Sequence, residues 1–172
     1  MTADELAAAV GRHAAEELAD ALAKIKHCVS QLDDAAIWSR PGAGLNSIGN
    51  LLLHLEGNLT QWVTSGLGGA ADRRNRAAEF AERGPIPADA LLRRLEAAVA
   101  QASAALAGLG ADELTRIRRI QGFDVTGLAA IFHSVPHFRG HAQEIIHITR
   151  TLLGERYQMH WQPATPEQGA VQ

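Results

Sequence analysis

Four of the chain's eight histidines fall in one stretch near its end, Ile131 to Arg150 (IFHSVPHFRGHAQEIIHITR): His133, His137, His141 and His147, with Glu144 among them. At about 100° per residue on a helix, His137 and His141 project from one side a turn apart. His133 lies one turn before them, and Glu144 falls in the same sector. Imidazoles at i and i+4 can hold one divalent cation between them, because that spacing puts their nitrogens on a common side. The pair alone is incomplete. A catalytic centre of the zinc type uses three protein ligands and keeps a fourth position open, so a third ligand must come from elsewhere in the chain.

His54 is the candidate. It stands mid-way through an apolar run, SIGNLLLHLEGNLTQWV, with Asn50 and Asn58 one turn to either side. A polar group buried there needs a partner. That partner is either a carbonyl or one of the asparagines, which makes His54 a core histidine, or a metal ion. His13 and His27, in the first helical stretch, read as surface or capping residues. Other metal motifs fit less well. The zincin signature places Glu directly after its first His, and that position is Phe138. Di-iron bundles need several Glu and two Glu-x-x-His motifs, which are lacking. No Gly-rich phosphate loop is present, and Cys28, the single cysteine, reads as core filler between His27 and Val29.

The 172 residues suit one domain with a substantial core. Few aromatics (5%) beside abundant alanine favour closely packed helices over a β-rich core. A net charge of −3 without a basic stripe argues against nucleic-acid binding. The absence of any run of about 18 apolar residues, with an acidic first stretch lacking a basic n-region, argues against a membrane span and a secretory leader. A cytoplasmic protein is expected.

Periodicity places four long helices. Thr2-Ala-Asp-Glu5 is a capping box opening a helix to about Leu32. Asp33 to Gly44 reads as a linker, and Asn46 or Ser47 caps the helix that carries His54. Gly66 to Pro87 is a long connection. Its Arg73, Arg74 and Arg76 are nearly balanced by Asp72, Glu79 and Glu82 and read as a solvated turn rather than an anion site, with Phe80 pinning the segment. A third helix runs from about Pro87 to Gly108. LTRIRRIQGFDVTG has no helical face and reads as extended or irregular backbone crossing the bundle. Asp124 or Thr126 caps the last helix, which stops at Gly154, with a kink or a broken start expected at Pro136. The expected division is a helical domain over 1–155 and a partly ordered tail over 156–172, docked by Tyr157 and Trp161. A four-helix bundle builds metal sites from facing helices, so His54 from the second and His137 and His141 from the fourth are the expected set, with a water completing the sphere.

These segments resemble a known family. SIGNLLLHLEGNLTQWV, RNRAAEF with GPIP, and PHFRGHAQEIIHITR follow the pattern of the DinB/YfiT-like metal-binding proteins: a mid-helix His in helix two, a His-x-x-x-His pair in helix four, and a Gln at 143. The resemblance runs from the first helix through Gly154, and the small bacterial DinB-like branch of unassigned function is the nearest in pattern. It implies an all-α, up-down-down-up four-helix bundle, frequently a homodimer, with a divalent metal (zinc or nickel) on His54, His137 and His141. It also implies thiol-linked chemistry, a metal-dependent transferase or hydrolase acting on a small molecule with a low-molecular-weight thiol. The alternative is a non-enzymatic dimeric binding or stress-associated protein whose metal is structural or vestigial. Pro136 departs from the pattern. His133 and His147 leave open an offset of the pair by one turn, His147 being assigned to the outer edge or a dimer partner. Glu144 either orients an imidazole, acts as a base, or lies at the surface.

Overall fold

The Thr2 hydroxyl accepts from the backbone N–H of Glu5, and the Glu5 carboxylate accepts from that of Thr2, so the expected capping box forms. It opens α1 (Ala3–Val29), which buries Ala7, Ala14, Leu18, Ala21, Ile25 and Cys28 at helical spacing. The computed structural model describes residues 1–161. After α1 come α2 (Asp34–Trp38), α3 (Ile48–Leu59) running on into a π-helical turn (Thr60–Ser65), α4 (Arg76–Ala81), α5 (Ala88–Ala107) and α6 (Ala111–Thr115). The strands β1 (Ile117–Ile120) and β2 (Phe123–Thr126) and the long α7 (Gly127–Leu153) complete it, with a short 3₁₀ turn (Gly154–Arg156) behind.

The long helices α1, α3, α5 and α7 form the bundle, and its directions follow from which side chains meet. Gly11 packs on Leu106, and Lys26 pairs with Glu96, so α1 and α5 are antiparallel. Glu17 pairs with Arg139, and Cys28 lies beside Thr149, so α1 and α7 are parallel. Asn58 bonds Ser134 and His54 meets His137, so α3 and α7 are antiparallel. Glu56 pairs with Arg94, and Gly68 abuts Ala105, so α3 and α5 are parallel. The order is up-down-down-up, and the fold is an all-α four-helix bundle. A parallel α3–α5 pair requires the chain between them to travel back along the bundle, and residues 66–87 do so. That return path carries α4. Leu18, Ile25, Leu51, Leu52, Leu55, Leu59, Leu91, Leu95 and Phe138, all but sealed from solvent, fill the centre.

The connections are more structured than their composition suggests. The expected 33–44 linker contains α2, whose N-cap Asp33 accepts from Ala36 N–H at 2.8 Å. The stretch after α6 takes the extended of its two expected forms, as a regular antiparallel hairpin with Ile117 opposite Thr126 and Ile120 opposite Phe123. Its two-residue turn, Gln121-Gly122, has positive φ at both positions, the primed geometry that suits the strand twist. Thr126, not Asp124, caps α7. The helix runs through Pro136 without the expected break. Pro136 lies on the exposed side, where one missing backbone bond costs least. Behind Gly154, Tyr157 packs on the core, and Gln158 bonds Gln31 and His27, while Trp161 is 71% exposed and does not dock. The rest of the expected tail, 162–172, lies outside the described residues. No helix among the described residues is long and apolar enough to cross a membrane.

Candidate metal centre

Ser47 starts α3 by accepting from Asn50 N–H, while the Asn50 side chain reaches back to Ser47. Two turns on, His54 points into the bundle, 4% exposed, towards α7. There His137 and His141 occupy successive turns. His54 Nε2 lies 2.9 Å from His137 Nε2. One ligating nitrogen from each of His54, His137 and His141 lies within 4.8 Å of the others, and the three rings stand edge to face. Nitrogens sharing one tetrahedral cation at ~2.0–2.1 Å sit about 3.3 Å apart, so small side-chain rotations suffice to place all three on one ion. The donor set fits a borderline cation such as zinc or nickel better than magnesium or calcium, which prefer oxygen.

The polar surroundings fix which nitrogens face inward. His54 Nδ1 lies 2.9 Å from Glu79 Oε2 and 3.1 Å from Arg74 Nη2. Arginine only donates, and Nη2 already has Glu79 Oε2 at 2.9 Å. The proton on Nδ1 therefore goes to Glu79, and the Nε2 lone pair faces His137. This carboxylate–histidine arrangement typically stands behind a metal-ligating imidazole. On α7, His141 Nδ1 bonds Glu144 Oε2 at 2.7 Å in the same manner. Burial pushes the Glu79 carboxyl up, but hydrogen bonds from Arg74 and His54, and their charge, outweigh it and leave it ionised below the usual range. His137 is pushed down to about 4 by burial and by the charges of His141, His54, His133 and Arg74. An imidazole that resists protons in this way offers its lone pair instead.

Arg74 is the residue the sequence reading misplaces. Its side chain is 3% exposed, gripping both Glu79 oxygens (2.7 and 2.9 Å) and Gln61 (3.0 Å), whereas Arg73 and Arg76 are exposed. Its buried partner Glu79 reads along the chain only as a balancing charge. The available signal was Asn75 capping the RNRAAEF segment, which makes it a short helix with an inward face. Its close approach to α3 depends on Gly57, because a Cβ there would stand 2.1 Å from Glu79 Oε1. Gly57→Ala should therefore displace Glu79 from His54 and lower metal affinity 10- to 100-fold, the usual cost of losing such a support, as read by competition with a chromophoric chelator. Unchanged affinity would show that Glu79 does not support the site.

His133 does not join the cluster. It stacks on Trp62, ring centroids 3.8 Å apart, and lies parallel to His137 at 5.7 Å. Burial first, then the Arg74 charge, lowers its pKa and keeps it neutral. His147 is exposed, and His13 pairs with Glu16 at the surface. His27 bonds the Gln158 carbonyl. A cavity of about 550 Å³ opens beside the cluster between α3, α7 and the hairpin, bordered by His54, His137, His133, Trp62 and Phe123.

Three imidazoles thus converge from the second and fourth long helices of an up-down-down-up bundle, an arrangement that can hold a metal ion. The chain belongs to the family described as "Protein of unknown function (DUF1572)", whose model matches residues 7–164. Among solved structures it is similar to a conserved protein from Enterococcus faecalis (16% identity, 83% of this chain and 96% of that one, TM-score 0.71). It is also similar to a DinB-like protein from Bacillus cereus (15% identity, 77% and 85%, TM-score 0.59). At these identities the likeness is one of fold. No curated protein matches the chain.

Proposed function

We propose that His54, His137 and His141 hold one divalent cation, zinc or nickel, with a fourth position open to water or a thiol. The protein then acts as a metal-dependent transferase or hydrolase on a small molecule, with a low-molecular-weight thiol as co-substrate and a homodimer as the working form. The observation that carries this reading is the convergence of three nitrogens from two helices, two of them backed by carboxylates, beside a cavity large enough for a ligand. When bound, such an ion lowers the pKa of a coordinated water or thiol and keeps it as hydroxide or thiolate. The chain's own part is to orient. Glu79 and Glu144 each hold an Nδ1–H, leaving Nε2 inward, and Arg74 keeps Glu79 ionised.

A non-enzymatic binding protein with a structural or vestigial metal is the second reading. It is favoured by the lack of a free carboxylate at the centre among the described residues: Glu79 and Glu144 are engaged by imidazoles, and Asp124 at the cavity pairs with Arg119. Metal analysis of the purified protein, with melting curves before and after chelation, tests the centre itself. An ion at 100 times its Kd adds ~2.7 kcal/mol, and at this chain length that lowers Tm on chelation by roughly 5–10 °C. Zinc or nickel should restore it. A metal-free protein with a chelator-insensitive melt would remove the proposal. Turnover with a panel of thiols and electrophiles separates the two readings.

A further inference from the structure

The cavity beside the histidine cluster has a definite charge and a definite surface. Its ionised groups pair off almost completely: Arg74 with Glu79, and Asp124 with Arg119. Arg76 is the exception. Its guanidinium lies over the Phe80 ring at 4.9 Å and forms no ion pair among the described residues. Imidazole binds a metal as a neutral ligand, so none of the three candidates would offset the charge of a bound cation. The excess of the cavity is positive.

Beside the amides of Asn58 and Gln121, the rest of its lining is mostly flat rings and apolar side chains. Trp62, His133 and His137 form a ladder of stacked rings along one side. The hairpin contributes Phe123 and Val125, which alternate onto one face of β2. Phe123 is 61% exposed, an aromatic ring presented at the rim rather than stored in the core. The hairpin is a fixed wall. Ile120 is buried against the bundle, and Gln121, held at a φ of 52° that non-glycine residues rarely adopt, accepts from Trp62 Nε1 at 3.0 Å.

We propose that this cavity binds a small molecule with a flat apolar body and a negative charge, the body lying against Phe123, Val125 and the ring ladder and the charge facing Arg76 and the histidine cluster. The volume of about 550 Å³ suits a ligand of one or two rings with a polar arm. Part of the charge argument rests on the metal-centre reading, and Arg76 supplies the rest independently. The ligand so described is the substrate class of the same site.

Calorimetry on the purified protein with 2-naphthalenesulfonate, a poor metal ligand, and with the neutral 2-naphthalenemethanol tests this. The sulfonate should bind about tenfold more tightly than the alcohol. Arg76→Gln should abolish that preference in chelated protein, and Phe123→Ala should weaken both probes by about tenfold. Phe132→Ser, at the separate apolar groove between α1 and α7, should change nothing. Equal binding of the two probes, indifference to Phe123→Ala, or loss with Phe132→Ser would each overturn the inference. Metal content measured in the same samples keeps the two readings apart. Bound metal without a sulfonate preference sinks the cavity inference alone. A preference that persists in metal-free protein and depends on Arg76 upholds it while the metal reading falls.

Discussion

Replacing His137 with alanine should strip the protein of metal. Its Nε2 faces His54 Nε2 at 2.9 Å, and its ring stands edge-on to both other imidazoles, so no single change removes more of the donor set. Loss of a supporting residue around a metal typically lowers affinity 10- to 100-fold, and loss of a ligand itself should exceed about 100-fold on the same scale. His137→Ala should accordingly retain almost no metal through purification, and its melt should ignore chelator. His133→Ala is the matched control. It lies one turn away in the same ring ladder but outside the cluster, and it should keep full occupancy. Metal retained by the first variant and lost by the second would mean that the pair is offset by one turn.

Glu79→Leu should be the most damaging change to stability near the site. The carboxylate is buried and forms the salt bridge to a guanidinium that is itself 3% exposed. Truncating one member of such a pair leaves the other charged and desolvated, at a cost of about 3–5 kcal/mol. His54 Nδ1–H loses its acceptor as well. For a chain of this size the loss corresponds to a fall in Tm of roughly 6–20 °C, measured on chelated protein so that metal linkage does not enter. Removing both charges, as Glu79→Leu with Arg74→Met, should recover much of the stability, since an apolar replacement of a whole buried pair is often nearly neutral. It should not recover metal affinity, because His54 then has nothing to hold its tautomer. A single variant as stable as the parent would contradict the burial of the pair.

The bundle could be read from the sequence because its long helices announce themselves through local signals. The Thr2 and Ser47 caps, the three–four spacing of Leu18, Ile25, Leu91 and Leu95, and Gly154 as a stop all act within a few residues. His137 and His141 are legible for the same reason, being one turn apart. His54 was open between a core residue and a ligand until its neighbours in space were known. The return segment was not legible. Its charges balance along the chain, which suggests a solvated turn, and only the parallel arrangement of α3 and α5 forces it across the bundle, where Arg74 and Glu79 become buried. Extended backbone over 117–126 is legible, but its pairing into a hairpin is not, because Gln121 is not a residue type that signals positive φ.

Parallel first and last helices have a practical corollary. The start of α1 and the end of α7 project from opposite poles, about 40 Å apart at 1.5 Å per residue over 27 residues. The histidines lie between them. His137 is about 15 Å along the axis from Gly127 and about 24 Å from Leu153. Spin labels or fluorophores attached at the two poles would thus bracket the cluster at unequal, known heights. A pair of such rulers can triangulate an ion within the waist of the molecule without touching its walls.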